Sequence, residues 1–294
     1  MLFLLYINDI GDNIKSSMRL FADDCLVYQP IRSNEDHKQL QNDLHQLVEW
    51  SRMWQMEFNV GKCSIMQIGL SKRKQQRTYS MKGTNISHKS TEAYLGVTLS
   101  NDMRWSAHIN NTCAKANKML GLLRRNLWHC QQSKKEQAYK TYVRPRLEYA
   151  SSVWDPHQAY NIRKLEQVQK RAARFVSGQY MTKENRDKIS TTKLVKDLGW
   201  ETLQSRRRKN AVTVMYKAIN GQLAIPDHYI PKPALRSSLR RSNSTSYQRP
   251  QSRIDCHRNA FWPRTIPIWN SLPTEVTTAD TPEALREGLA GVLL

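Results

Sequence analysis

Up to about residue 100 the apolar positions fall in short runs punctuated by glycine, and beyond it they recur at helical spacing for most of the chain. The first apolar stretch, residues 2–10, begins without a cap or turn signal and ends in a Gly11-Asp12-Asn13 turn. Residues 18–28 form a second stretch interrupted at its centre by Asp23 and Asp24, the pattern of two strands joined through an acidic tight turn. Ser33 with Asp36 three positions on is a helix start with its reciprocal acid. Leu40, Leu44, Leu47, Val48, Ser51 and Trp54 then share one face, so the spacing predicts an amphipathic helix over 34–54. Strands are predicted at 63–68, 78–86 and 94–99, with Gly61, Gly83 and Gly96 as breaks. Helices are predicted at 104–126, 133–150, 159–177 and 201–219, with Gly178 and Gly221 as stops. Residues 231–259 have the composition of a tether, residues 261–273 that of an irregular aromatic and proline segment, and Thr281-Pro282 opens a short last helix. The order of strand pair, helix, strands and then helices predicts an α+β fold. Its expected parts are a sheet-containing region over 1–100, a basic helical region over 101–225 and a loop-rich segment over 226–294.

Composition narrows what this fold meets. The 294 residues are 39% hydrophobic, enough for a core, and none of the apolar runs approaches the ~20 residues of a membrane-spanning helix. Five scattered cysteines, Cys25, Cys63, Cys113, Cys130 and Cys256, argue against a disulfide framework and for a reducing, intracellular compartment. They also lack the close Cys and His spacing of a zinc site. The formal charge of +21 points to a polyanionic partner, most simply nucleic acid. The excess is uneven, at +2 over the first hundred residues, +12 over the second hundred and +7 over the remainder. Lys134, Lys135, Lys140, Arg144 and Arg146 on one predicted helix, and Arg163, Lys164, Lys170, Arg171 and Arg174 on another, are candidate phosphate contacts.

Two adjacent carboxylates at the tip of an apolar hairpin resist joint ionisation unless something positive neutralises them, and a divalent ion is the usual remedy. The flanking sequence gives this pair a context. LFLLYINDI at 2–10, FADD at 21–24, NVGKC at 59–63 and YLGV at 94–97 resemble, in order and spacing, the second half of the reverse transcriptase palm of non-LTR (LINE-type) retrotransposons. YVRPRLEYASSVW at 142–154 is similar to the helical region after that palm, and RNAFWPRTIPIWNSLP at 258–273 to the C-terminal end of the same polyproteins. The resemblance implies an RNA-directed DNA polymerase working with Mg²⁺ and dNTPs on an RNA template and DNA primer. Asp23 and Asp24 would be its metal-binding catalytic carboxylates, and Lys62 the lysine that assists the leaving pyrophosphate. Tyr94, Leu95 and Gly96 would form the hairpin that supports the primer end, the glycine permitting close backbone approach.

The departures are as informative. The earlier metal-binding Asp and the Gln-Gly motif of the family do not precede residues 2–10, and the family's fingers are absent too. The resemblance assigns Asp9 to a structural element rather than to the missing position. The expectation is therefore an N-terminally truncated remnant that does not polymerise alone. The alternative is a non-catalytic basic module that binds nucleic acid through its helices.

Overall fold

The computed structural model describes residues 2–69, 77–179, 190–234 and 245–292. The chain divides into two units, Met1–Ala93 with Ser100–Asp102, and Tyr94–Leu99 with Met103–Leu294. The fold is α+β, with short strand pairs first and helices after them.

In the first unit α1 (Leu2–Tyr6) leads into a turn and then a hairpin of β1 (Ser17–Phe21) and β2 (Asp24–Tyr28), paired antiparallel with Phe21 opposite Asp24. Helix α2 (Asn34–Met53) opens with the expected capping box: the Ser33 hydroxyl accepts from the Asp36 N–H, and the Asp36 carboxylate accepts from the Ser33 N–H. A 3₁₀ turn (Val60–Lys62) precedes β3 (Ser64–Ile65), β4 (Ser80–Met81), β5 (Thr84–Asn85), β6 (Ser87–His88), β7 (Thr91–Tyr94) and β8 (Val97–Ser100). Instead of one antiparallel layer, the strands form four two-stranded pieces, and one of them, β3 with β6, is parallel. The strand expected at 78–86 folds back on itself as the β4–β5 hairpin, because Lys82 and Gly83, at φ 49° and 74°, supply the two left-handed residues of a tight turn. Strands of two residues cannot ladder into a wide sheet. A small core of Val48, Met81 and Ile86 forms here instead, and Gln41 clamps β4 to α2 by bonding both the N–H and the C=O of Ser80 at 2.9 Å.

The second unit holds α3 (Ser106–Asn126), α4 (Gln132–Ala138), a π-turn (Tyr139–Val143), α5 (Arg144–Glu148), α6 (Ser151–Trp154), α7 (Ala159–Val176), α8 (Thr191–Asp197) and α9 (Leu203–Ile219). After a 3₁₀ turn (Asp227–Tyr229) come α10 (Asp255–Arg258), α11 (Phe261–Asn270), α12 (Thr274–Thr277) and α13 (Pro282–Ala290). The helix expected at 133–150 is thus broken. Pro145 has no N–H to give to the preceding turn and its ring crowds the carbonyl four residues back, and the wider π-turn, closed by Arg144 N–H on Tyr139 C=O, accommodates it. Gly178 and Gly221 end α7 and α9 at φ 67° and 68°, each with the paired bonds that cap a helix through a left-handed residue. Side-chain bonds from Lys164 to Asn110 and from Arg171 to Asn117 keep a constant offset, so α3 and α7 run parallel.

Ile109, Val143, Leu147, Trp154, Leu165, Ala172 and Leu203 centre the main core. A second core sets Val212 and Met215 of α9 against Ile266, Trp269 and Leu285. That packing explains why residues 261–270 are helical rather than irregular. Pro263 lies in the first turn, where no N–H is needed, and the bond lost at Pro267 is offset by complete burial of Ile266 and Trp269. The tether composition at 231–259 falls partly on residues 235–244, which lie outside the described residues.

Candidate active site and nucleic-acid interface

The acidic hairpin is held from its base. Asp43 of α2 is wholly buried and accepts from the Ser16 hydroxyl at 2.5 Å, the Ser16 N–H at 2.8 Å, the Lys15 N–H at 3.2 Å and the Gln39 amide at 2.8 Å. Burial alone would raise its pKa, but these bonds, led by the Ser16 hydroxyl, hold it below the usual carboxylate value. Residues 15 and 16 are thereby fixed where β1 begins. At the other end the turn passes through Ala22 at φ 51°, and Phe21, Ala22, Asp23 and Asp24 are all exposed.

Beside Asp24, the Cys25 thiol is pushed up to about 11 by burial and by the neighbouring Cys63, which adjoins Lys62. Lys62 itself is exposed. Asp9 is engaged elsewhere, accepting from the indole N–H of Trp50 at 2.9 Å. Among the described residues no group of three His, Cys, Asp or Glu side chains converges as metal ligands would. Asp23 and Asp24 alone therefore do not fit a two-ion site, which requires further carboxylates to hold both ions in line.

Tyr94, Leu95 and Gly96 lie at the β7–β8 turn, with Leu95 at φ 46° and Gly96 at φ 78°. The close approach that Gly96 permits is made by a protein group. A Cβ there would meet Cε1 of Tyr149 at 3.2 Å, and the Tyr149 hydroxyl donates to the Leu95 carbonyl at 3.1 Å.

The ten basic candidates separate by environment. Lys134, Arg146 and Arg163 are exposed, the last two leaning back on the carbonyls of Tyr142 and Ala159. Lys170 is half-buried. Lys164 and Arg171 are exposed on α7 while bonding Asn110 and Asn117. Burial and the adjacent Arg171 lower the pKa of half-buried Arg174. Lys140 pairs with Glu136 at 2.5 Å, and half-buried Arg144 lines a cavity behind it. Lys135 is only 8% exposed, with its ammonium 5.8 Å from the Phe175 ring centroid, and this placement turns it away from a phosphate in solvent. Four further cations of α3, Lys115, Lys118, Arg124 and Arg125, are exposed on a helix without an acid. That absence of acids is a signal present in the sequence.

The segment 147–155 ties the second unit together. Leu147 and Trp154 are fully buried, and Glu148 receives a two-pronged bond from Arg206. The Trp154 indole donates to the Tyr149 carbonyl at 2.7 Å. Asp155 pairs with Arg207 at 2.6 Å, both nearly out of solvent, while Arg264 donates to the carbonyls of Asp155 and Ser152 at 2.9 Å each.

Among the described residues no helix is long and apolar enough to cross a membrane. No family model matches the sequence, and no solved structure matches it. The chain is similar to a probable RNA-directed DNA polymerase from transposon X-element of Drosophila melanogaster, 22% identical over 171 residues, or 56% of this chain. It spans 18% of the length of that protein. This similarity supports a relationship to transposon reverse transcriptases.

Proposed function

We propose that the chain is a portion of a non-LTR retrotransposon reverse transcriptase, comprising the back of the palm over 1–100 and a basic thumb-like region over 101–225. The observation that carries this reading is the ordered run of motifs around Asp23-Asp24, taken with the similarity to a transposon RNA-directed DNA polymerase. In this reading the polypeptide binds an RNA template with its DNA primer through exposed cations of α3 and α7, and it does not polymerise by itself. The hairpin tip presents two exposed carboxylates, and among the described residues no third metal-binding side chain joins them. In a complete polymerase Mg²⁺ would activate the primer hydroxyl and stabilise the leaving pyrophosphate.

Two measurements test the proposal. Purified chain with Mg²⁺, dNTPs and a primed RNA template should give no extension, and templated incorporation that disappears in Asp23→Asn would overturn the inactive reading. An RNA–DNA hybrid with 5′-hydroxyl ends should bind with steep salt dependence. If six phosphates are neutralised, affinity falls about a thousandfold between 50 and 200 mM salt. Absent or salt-insensitive binding would remove the nucleic-acid reading.

A further inference from the structure

In the second unit a ladder of side-chain bonds joins α3 to α7 at a nearly constant offset in sequence. Ser106 Oγ meets the Tyr160 hydroxyl at 2.6 Å and accepts from the Asn161 amide at 3.2 Å. Further along, Lys164 Nζ donates to Oδ1 of Asn110 at 2.8 Å, and Arg171 Nη1 donates to Oδ1 of Asn117 at 3.1 Å. The two asparagines are two turns apart on α3 and the two cations two turns apart on α7, so the second rung repeats the first about 10.5 Å along the seam.

The partners that hold these two cations are neutral. Besides Asn110, Lys164 has the Tyr160 ring, its ammonium 5.5 Å from the centroid. Neither Lys164 nor Arg171 forms an ion pair among the described residues. Helix α3 carries no acid, and the single acid of α7, Glu166, accepts from the Gln204 N–H at 2.9 Å at the start of α9. Four other cations of the unit are held by carboxylates instead: Lys140 by Glu136, Arg206 by Glu148, Arg207 by Asp155 and Lys209 by Glu201. A carboxylate orients a cation and cancels its charge, whereas an amide oxygen orients it and leaves the charge in place.

Like charge gathers along the same line. Gly121 stands one turn beyond Asn117 on α3, and a Cβ there would lie 3.8 Å from Nη1 of Arg125, so that guanidinium reaches back along the helix. Exposed Lys118 adjoins Asn117, and Arg171 lies close enough to Arg174 to lower its pKa. Cations crowded without acids repel one another until an outside anion arrives, and those already oriented give up less freedom in meeting it. Rungs about 10.5 Å apart are too far for one phosphate to bridge, but they suit separate phosphates along a strand.

We propose that the α3–α7 seam is a track for one sugar-phosphate strand, along which Asn110 and Asn117 position Lys164 and Arg171 and leave their charges to the phosphates. The proposal rests on the nucleic-acid reading above and assigns its contacts to two cations and their neutral tethers. Contacts of this kind fix the strand in place without reading its sequence.

The test is the affinity of the full chain for a labelled RNA–DNA hybrid, measured by fluorescence anisotropy between about 50 and 200 mM salt. Lys164→Gln and Arg171→Gln should each reduce the slope of log affinity against log salt by about 1. The tethers are tested by Asn110→Asp combined with Asn117→Asp, which keeps their size and their bonds but turns each rung into an ion pair. That variant should melt no lower than the parent and bind the hybrid about tenfold or more weakly, with a slope reduced as in the two Gln variants together. Asn111→Asp combined with Asn126→Asp adds the same charge to exposed positions of α3 off the seam and should cost much less. If the asparagines only join the helices, aspartate serves as well and the two double variants bind alike. Equal binding by the two double variants, or an unchanged slope in both Gln variants, overturns the proposal, while hybrid binding by the parent keeps the nucleic-acid reading. If the parent does not bind the hybrid, both fall.

Discussion

Replacing Asp155 by Asn isolates the most exposed weakness of the second unit, a buried guanidinium with a single counter-ion. Arg207 has a fully buried side chain, gives Nε to Asp155 at 2.6 Å and has no partner for Nη1 or Nη2 among the described residues. The Trp154 ring centroid lies 6.0 Å from the guanidinium carbon. Arg264 stands differently, because its bonds go to the backbone carbonyls of Asp155, Ser152 and Asn259 and its contact with the carboxylate is long, at 3.9 Å. Asp155→Asn therefore strands Arg207 and also removes the more distant carboxylate from Arg264. Breaking a buried pair from one side costs about 3–5 kcal/mol, and since Asn can still accept one bond the lower end applies, about 3 kcal/mol. For a unit of this size that is a fall in Tm of about 6–12 °C. Arg207→Met should cost less, because Asp155 keeps Arg264 nearby, and Asp155→Leu with Arg207→Met should recover most of the loss. Thermal and urea unfolding of the four proteins measures the order. A loss below about 1 kcal/mol for Asp155→Asn, or a larger loss for Arg207→Met, would refute the reasoning.

Other outcomes follow from groups already placed. His108 is buried against Trp154, accepts from the Thr98 N–H at Nδ1 and has its pKa lowered to about 4 by burial and by Lys115. The unfolded ring binds its proton near 6.5 and the folded ring near 4, so this contribution is complete above pH 6.5 and is lost as pH falls toward 4. Urea unfolding across that window should show about 1–3 kcal/mol of change that His108→Gln abolishes. Asp43 has the depressed pKa of a bonded carboxylate, so its contribution is present above the ordinary carboxylate value and disappears at lower pH. Asp43→Ala should cost about 2–4 kcal/mol and raise amide exchange at residues 15–28, because it strands the N–H groups of Lys15 and Ser16. Gly96→Ala forces a left-handed alanine against the Tyr149 ring and should lower stability by about 1–2 kcal/mol in thermal melts, with Tyr149→Ala relieving part of the loss.

What could be read from the sequence was whatever a few consecutive residues decide. The Ser33-Asp36 cap, the acidic turn between two strands and the glycine stops at 178 and 221 depend on neighbours within one turn, and the structure contains each of them. The π-turn was also local, since Pro145 forbids an unbroken helix, yet apolar spacing alone overrode that signal. Lys135 shows the same error in the candidate site. It stands three and four positions before Ala138 and Tyr139, on the stripe that packs inward, so periodicity already argued for burial while a count of positive charges argued for solvent. Residues 147–155 were conspicuous only through their resemblance to a family motif, and their physical roles come from partners distant in sequence. Tyr149 meets Leu95, Glu148 meets Arg206, and Asp155 meets Arg207 and Arg264. Such pairings are set by packing, which no local window encodes.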